Sequence, residues 1–172
     1  MRKKRPSPKQ YSNRSKTESE RGERYMPENE SRQDIARTIS RLVLQLYRQR
    51  RSYMNTKLAD SGLKGPMYML LTTLDHAPGS SQDFMAQHIG IDKSGIARAA
   101  RELEKLGYIR REIDEDNRRQ YRMYLTEKGS EQLPVIRGYL SEWGRMLTKG
   151  LGEQQVLEVI SLMEHMSKNA EQ

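Results

Sequence analysis

The sequence predicts a mainly α-helical domain with one small β-hairpin. Apolar residues recur at helical spacing through most of the chain between Ile35 and Met166. The period changes once, where two short segments rich in β-branched and aromatic residues, 108–113 and 121–125, flank the polar stretch DEDNRRQ. The expected order is therefore four helices, a hairpin with a charged tip, and two further helices.

Residues that favour turns and helix ends separate these elements. Serine, threonine and aspartate accept hydrogen bonds from the first turn of a helix, and glycine adopts the left-handed conformation that ends one. The third, fourth and fifth helices accordingly begin after Ser80 or Ser81, Asp92 and Thr126. Pro134 lies inside the fifth helix and is expected to kink it or to delay its start. The remaining boundaries are Gly62, Gly65, Pro66, Pro78, Gly79, Gly90, Gly107, Gly150 and Gly152.

Composition narrows the function classes. The 172 residues suffice for one compact domain, and a formal net charge of +8 favours a polyanionic partner. Because the chain has no cysteine, disulfides, thiolate metal sites and cysteine nucleophiles are excluded. No apolar run approaches the ~20 residues of a membrane helix, and no signal-peptide core follows the basic start. A cytoplasmic protein without a membrane partner is expected.

No motif indicates catalysis, a cofactor or a metal. Nucleophile-elbow, P-loop and dinucleotide glycine patterns are absent from the sequence. His76, His88 and His165 stand apart in the sequence, none of them in a His-x-x-x-His pair, which disfavours a metal sensor. We therefore expect neither an enzyme nor a bound cofactor.

Residues 1–31 are rich in Arg, Lys, Glu, Ser, Asn and Pro and have almost no aliphatic side chains. Ordering them would cost backbone entropy without burying apolar surface, so this segment is predicted to be a disordered basic and polar tail. Its first residues, 2–5, can either touch DNA phosphates or serve as a solvated extension.

The predicted fourth helix has two unlike faces. Ile96, Ala99, Ala100, Leu103 and Leu106 fall on one face, which suits a core. The opposite face is polar and basic and suits the phosphates and base edges of a DNA major groove. Its candidate DNA contacts are Lys93, Ser94, Arg98, Arg101 and Lys105.

The hairpin tip combines acidic and basic residues. Asp114, Glu115 and Asp116 precede Arg118 and Arg119, the two further candidate DNA contacts. Carboxylates there can orient a guanidinium toward a narrow groove. The alternative is a solvated turn with incidental ion pairs worth about 0–1 kcal/mol each.

The segment from Ile91 to Gly129 resembles the recognition helix, wing and following helix start of the MarR family of transcription regulators. The stretch LEKLGY at 103–108 and the Leu-Thr ending at 125–126 carry the resemblance. It implies a winged helix-turn-helix protein with Arg119 as a minor-groove contact. Asn117 stands where the family usually has Asp, so Asp114 or Asp116 is expected to hold the wing arginine instead.

The resemblance also implies the domain organisation. Residues 32–170 would form the MarR-like domain, with dimerisation helices at about 32–58 and 127–170 and a DNA-binding lobe at about 63–125. Such a homodimer would place its recognition helices one DNA turn apart, ~34–36 Å, on a pseudo-palindromic operator.

An effector cleft is a further implication of the resemblance. A small aromatic effector would bind between the dimerisation and DNA-binding regions. Met and Tyr side chains suit such a ligand, although at helical spacing they more often form core or dimer interface. Trp143 is expected to be a packing residue at the dimer interface rather than a ligand platform. The candidate pocket residues are Tyr47, Tyr53, Met54, Met67 and Tyr68.

The function that follows is a sequence-specific regulator of promoter DNA, a dimeric repressor released by a small-molecule effector. The alternative from another class is an architectural DNA- or RNA-binding basic protein without sequence preference. The two differ in salt dependence and in the ratio of specific to non-specific affinity.

Overall fold

The computed structural model describes residues 32–115, 117–118 and 120–171. Over these ranges the chain forms six helices and three short strands, which confirms the predicted fold class. The predicted tail at 1–31, together with Asp116 and Arg119, lies outside the described residues. The elements are α1 (Arg32–Lys57), α2 (Met67–His76), β1 (Ser80–Ser81), α3 (Gln82–Ile89), α4 (Lys93–Lys105), β2 (Ile109–Ile113), β3 (Tyr121–Leu125), α5 (Glu127–Leu147) and α6 (Glu153–Ala170).

The chain divides into two compact units, residues 1–42 and 43–172. In the first unit the described residues form the beginning of α1, where Ser40 donates a hydrogen bond from Oγ to the carbonyl oxygen of Ala36 at 3.0 Å. All other elements belong to the second unit. None of the helices in the described ranges has an apolar stretch long enough to cross a bilayer.

The core of the second unit joins the end of α1 to α2, α3, α4, the base of the hairpin and the first turns of α5. Burial of these apolar side chains is the main favourable contribution to its stability. The fully buried large side chains are Met54, Leu58, Leu63, Leu70, Leu71, Leu74, Met85, Ile96, Leu103, Ile109, Met123 and Ile136.

The predicted capping residues are confirmed. Ser81 accepts a hydrogen bond from the backbone N–H of Phe84 at 3.2 Å, and Thr126 accepts one from Gly129 at 3.1 Å. Gly90 ends α3 with φ of 72°, the left-handed region that glycine enters without strain. Of the two expectations for Pro134, a delayed helix start is wrong, because α5 begins at Glu127.

The hairpin belongs to a three-stranded antiparallel sheet with the order β1-β3-β2. Ile109 pairs with Leu125 and Ile113 with Tyr121, as the predicted hairpin requires. The sequence analysis missed β1, which adds Ser80 and Ser81 to the outer edge of β3. Two residues are too short for an alternating pattern, so the strand has no signal of its own.

Candidate nucleic-acid interface

Helix α4 is fixed at both ends by hydrogen bonds. At its start, the carboxylate of Asp92 accepts from the hydroxyl of Ser94 at 2.5 Å and from the backbone N–H of Gly95 at 2.8 Å. Both bonds hold the pKa of Asp92 below its usual value, and the bond from Ser94 has the larger effect. At its end, Lys128 of α5 donates from Nζ to the carbonyl oxygen of Leu106 at 2.7 Å. Hydrogen bonds therefore hold both ends of the helix.

The exposed face of α4 is polar and basic. Its buried side chains are Ile96, Ala99, Ala100 and Leu103, as the sequence predicted. All five predicted DNA contacts on this helix are exposed: Lys93, Ser94, Arg98, Arg101 and Lys105. Lys93 is partly neutralised, because its Nζ lies 2.9 Å from Oδ2 of Asp83 on α3. The structure thus separates a core face from a cationic face on one helix.

The hairpin tip is closed by its own backbone and by a buried acid. The N–H of Asp114 donates to the carbonyl of Gln120 at 3.0 Å, and the N–H of Gln120 donates to Asn117 at 2.8 Å. Asp114 is only 7 % exposed, and its Oδ2 lies 3.1 Å from Nη2 of Arg122. Arg118 is exposed at the tip, whereas Arg119, the predicted minor-groove contact, lies outside the described residues.

Another hairpin arginine, Arg111, connects the hairpin to α4. Arg111 on β2 donates from Nε, at 2.9 Å, and from Nη2 to Oε2 of Glu104 on α4. Its guanidinium also lies over the ring of Tyr121 on β3, 5.0 Å from the centroid. Glu104 belongs to the LEKLGY stretch that carries the family resemblance, but neither its pairing nor Arg111 was predicted from the sequence.

A cleft of about 640 Å³ opens along one flank of α4. Of the five predicted effector residues, Tyr47, Met67 and Tyr68 line this cleft. Met54 is fully buried in the core instead, and Tyr53 packs against Trp143 with ring centroids 5.4 Å apart. The lining also includes residues that the sequence analysis had not placed there: Arg50, Arg51, Asn55, Lys64, Ile91, Asp92, Gly95, Arg98, Ala99 and Glu102.

An ion pair ties α1 to α5 beside Tyr53. The Nζ of Lys57 lies 3.1 Å from Oε1 of Glu142, and it lies over the rings of Tyr53 and Tyr139. The hydrogen bond from Lys57 holds the pKa of Glu142 below its usual value. Burial and the neighbouring Glu142 raise the pKa of Tyr53. Trp143 and Tyr53 therefore belong to a helix contact outside the cleft.

Two of the histidines come together in space. His76 and His88 line a cleft of about 300 Å³ between α2 and α3, and the ring of His88 stacks on Phe84 at 5.5 Å. In the part of the chain that the structure describes, no group of three or more His, Asp or Glu side chains is placed to hold a metal ion.

Comparison with known proteins places this architecture in a family. Residues 64–121 match the model of the MarR family. A MarR transcriptional regulator from Methanosarcina mazei Go1 is 32% identical in sequence, and its crystal structure superposes with a TM-score of 0.75 over 78% of this chain and 96% of that one. A crystal structure of MarR is 28% identical, with a TM-score of 0.72 over 76% of this chain and 89% of that one.

Among curated sequences, the HTH-type transcriptional regulator YybA of Bacillus subtilis (strain 168) is 28% identical over 120 residues, which are 70% of this chain and 80% of YybA. Sequence, fold and family model agree, and the resemblance predicted from the recognition helix and wing is confirmed. The chain belongs to the MarR family of winged helix-turn-helix transcription regulators.

Proposed function

We propose that the protein is a homodimeric, sequence-specific binder of double-stranded DNA that reads the major groove with α4 and the flanking minor groove with its wing, the β2–β3 hairpin. The observation that carries the proposal is the exposed basic face of α4, which includes Arg98 and Arg101. A helix fits the major groove, and arginine is the side chain that most often contacts guanine there. The preceding helix α3 would support it, as in other helix-turn-helix proteins.

Charge supports the DNA backbone contacts. Phosphates neutralised by Lys or Arg release condensed counterions, so a chain with a net charge of +8 gains affinity for any duplex. Lys93, Lys105 and Arg118 are exposed and suit this role. Arg119 is also proposed as the minor-groove contact, and this assignment is based only on its position in the family's sequence pattern.

Exposed apolar side chains on α5 and α6 support dimerisation. No residue of α6 is buried, although the helix has several large apolar side chains. Leu157, Leu162 and Met163 are each more than half exposed. Large apolar side chains that are exposed together on one helix often mark a protein–protein interface. A second copy of the chain would cover these side chains, and two-fold symmetry would give a pseudo-palindromic operator. In the first unit, Ile35, Ile39 and Leu42 are also exposed.

Release by an effector is proposed for the cleft beside α4. Its volume of about 640 Å³ suits a small ligand, and Tyr47, Met67 and Tyr68 supply apolar and aromatic contacts. Arg98 both lines the cleft and belongs to the basic face of α4. A bound ligand would therefore change the helix that reads DNA, and occupancy of a promoter would couple to ligand concentration.

An architectural, non-specific nucleic-acid binder is the competing function. It would use the same cations without reading bases. Its affinity would fall steeply with salt but would vary little between sequences. A regulator should bind its operator ~1,000-fold or more above non-specific DNA.

The test is a selection of duplex fragments from host DNA at near-physiological salt, followed by footprinting of the enriched fragments. Enrichment of a pseudo-palindrome protected in two successive major grooves supports the regulator. Binding without enrichment supports the architectural alternative. Arg98→Ala should weaken the enrichment by relaxing base preference, while Lys149→Ala serves as the matched control, because Lys149 is exposed in the turn between α5 and α6.

A further inference from the structure

The side chains of β2 leave the buried core about halfway along the strand. Ile109 at its start is buried and Arg111 is half-buried, whereas Ile113 at its end is 60 % exposed. On β3 the matching residues follow the same trend, since Met123 is buried and its neighbour toward the tip, Tyr121, is exposed. Arg111 is therefore the last inward-facing residue of β2 that is partly shielded from water.

The contact made by Arg111 reaches across the turn between α4 and β2. The covalent connection there is short, and Gly107 within it has φ of 77°. Both hydrogen bonds of the guanidinium go to Glu104, which lies on the flank of α4 next to the wing. The ring of Tyr121 holds the other side of the guanidinium, so one side chain joins α4, β2 and β3.

Glu104 is otherwise a poor residue for a helix that faces DNA. It stands among Arg101 and Lys105 on α4, where an unpaired carboxylate would repel phosphate. Its pairing with Arg111, whose side chain is 20% exposed, neutralises that charge and shields it in part from water. A forked guanidinium contact also has a defined direction, which a lysine ammonium lacks.

We infer that Arg111 and Glu104 are positioning residues that fix the angle between the wing and α4, so that the major-groove and minor-groove contacts are made in one register. The expected effect on the groove contacts rests on the proposed function. The fixed angle itself is a property of the free protein. Without the pair, the wing would still be anchored by its base at Tyr108 and Ile109, by Met123 in the core and by the pairing of β3 with β1, but β2 would lose its side-chain contact with α4.

The angle can be measured without DNA. Because the chain has no cysteine, Glu102→Cys on α4 and Glu115→Cys at the wing tip give two unique spin-label sites, both exposed. Labelled chains are diluted with unlabelled ones so that each distance comes from one protomer. The parent protein should give one narrow distance distribution. Glu104→Ala, Arg111→Met and the double variant should each broaden it to a similar extent, because they break the same contact.

Operator binding separates positioning from charge. Charge alone predicts that Glu104→Ala binds all DNA more tightly, that Arg111→Met binds less tightly, and that the double variant returns to the parent affinity. Positioning predicts that all three lose about tenfold in operator affinity, about 1.4 kcal/mol. Hydroxyl-radical footprints should lose the flanking minor-groove protection, while methylation protection at guanine N7 should show that the major-groove contacts are kept.

The neighbouring pair on the opposite face of β2 is the matched control. Arg110 and Glu112 also form an ion pair, and Arg110 lies over Tyr124 rather than against α4. Arg110→Met and Glu112→Ala should leave the spin–spin distance unchanged. An unchanged distribution in the Glu104 and Arg111 variants overturns the inference. A parent protein without any footprint would refute the proposed function instead, while the spin-label distances would still decide the inference.

Discussion

Replacing Gly129 with alanine should destabilise the protein, although alanine favours helices. Gly129 lies in the first turn of α5, where the chain packs closely against the backbone of Tyr108, just before β2. A Cβ at this position would lie 2.1 Å from the carbonyl oxygen of Tyr108, whereas ordinary contact begins near 3.4 Å. That carbonyl also accepts a hydrogen bond from the N–H of Thr126 at 3.1 Å, so it cannot simply turn away.

The magnitude follows from the groups that must move. Shifting α5 away would weaken that bond and the one from Thr126 Oγ1 to the carbonyl of Gly107 at 2.7 Å, each worth about 1 kcal/mol. Residual overpacking adds about 1–2 kcal/mol. The higher helix propensity of alanine returns about 1 kcal/mol. The net loss is about 2–3 kcal/mol, which lowers Tm by about 5–10 °C for a chain of this size.

Thermal unfolding followed by circular dichroism, at one fixed protein concentration, measures the change. Gly138→Ala is the matched control, because it lies in the same helix and a Cβ there would meet no atom within 4 Å. The control should raise Tm by a few degrees through helix propensity alone. A Gly129→Ala protein as stable as Gly138→Ala would refute the steric argument.

Three further predictions concern α4. Lys128→Met removes the hydrogen bond to the carbonyl of Leu106 and should cost about 1 kcal/mol in chemical denaturation, whereas Lys128→Arg should retain most of the stability. Asp92→Asn keeps the cap without the charge. Folding lowers the pKa of Asp92, so its ionised carboxylate stabilises the folded protein above the unfolded pKa of about 4, and this stabilisation is lost as the pH falls below that value. The difference in Tm between the parent and Asp92→Asn should therefore shrink toward about pH 3. Arg98→Ala should relax base preference in operator-competition assays and weaken effector binding in calorimetry, and a variant that changes neither contradicts both assigned roles.

The faces and caps of α4 were predictable because they depend on residues close in the sequence. A helix period places Ile96, Ala100 and Leu103 on one side whatever the rest of the chain does. Asp92 and Gly107 then act within one turn of their own position. These local effects suffice to identify a two-faced helix followed by a hairpin, which is the part of the fold that carries the family resemblance.

The contacts that orient α4 depend instead on tertiary packing. Lys128 reaches the end of α4 only because α5 starts beside it. The packing of Tyr53 against Trp143 likewise joins segments that are distant in the sequence. One sequence signal for the wing contact was present. Arg111 alternates with Ile109 and so takes an inward-facing position on β2, where a charged residue needs a partner.

Under the proposed function, the four sides of α4 would let one helix contact both DNA and a ligand. One side is buried, and the opposite side is basic and exposed. Of the two flanks between them, the one with Glu104 is held by the wing, while the one with Gly95 and Glu102 faces the cleft. A ligand in the cleft would therefore push α4 against a wing that is fixed to it. In that arrangement helix and wing would move together, and a small displacement would misalign both groove contacts at once.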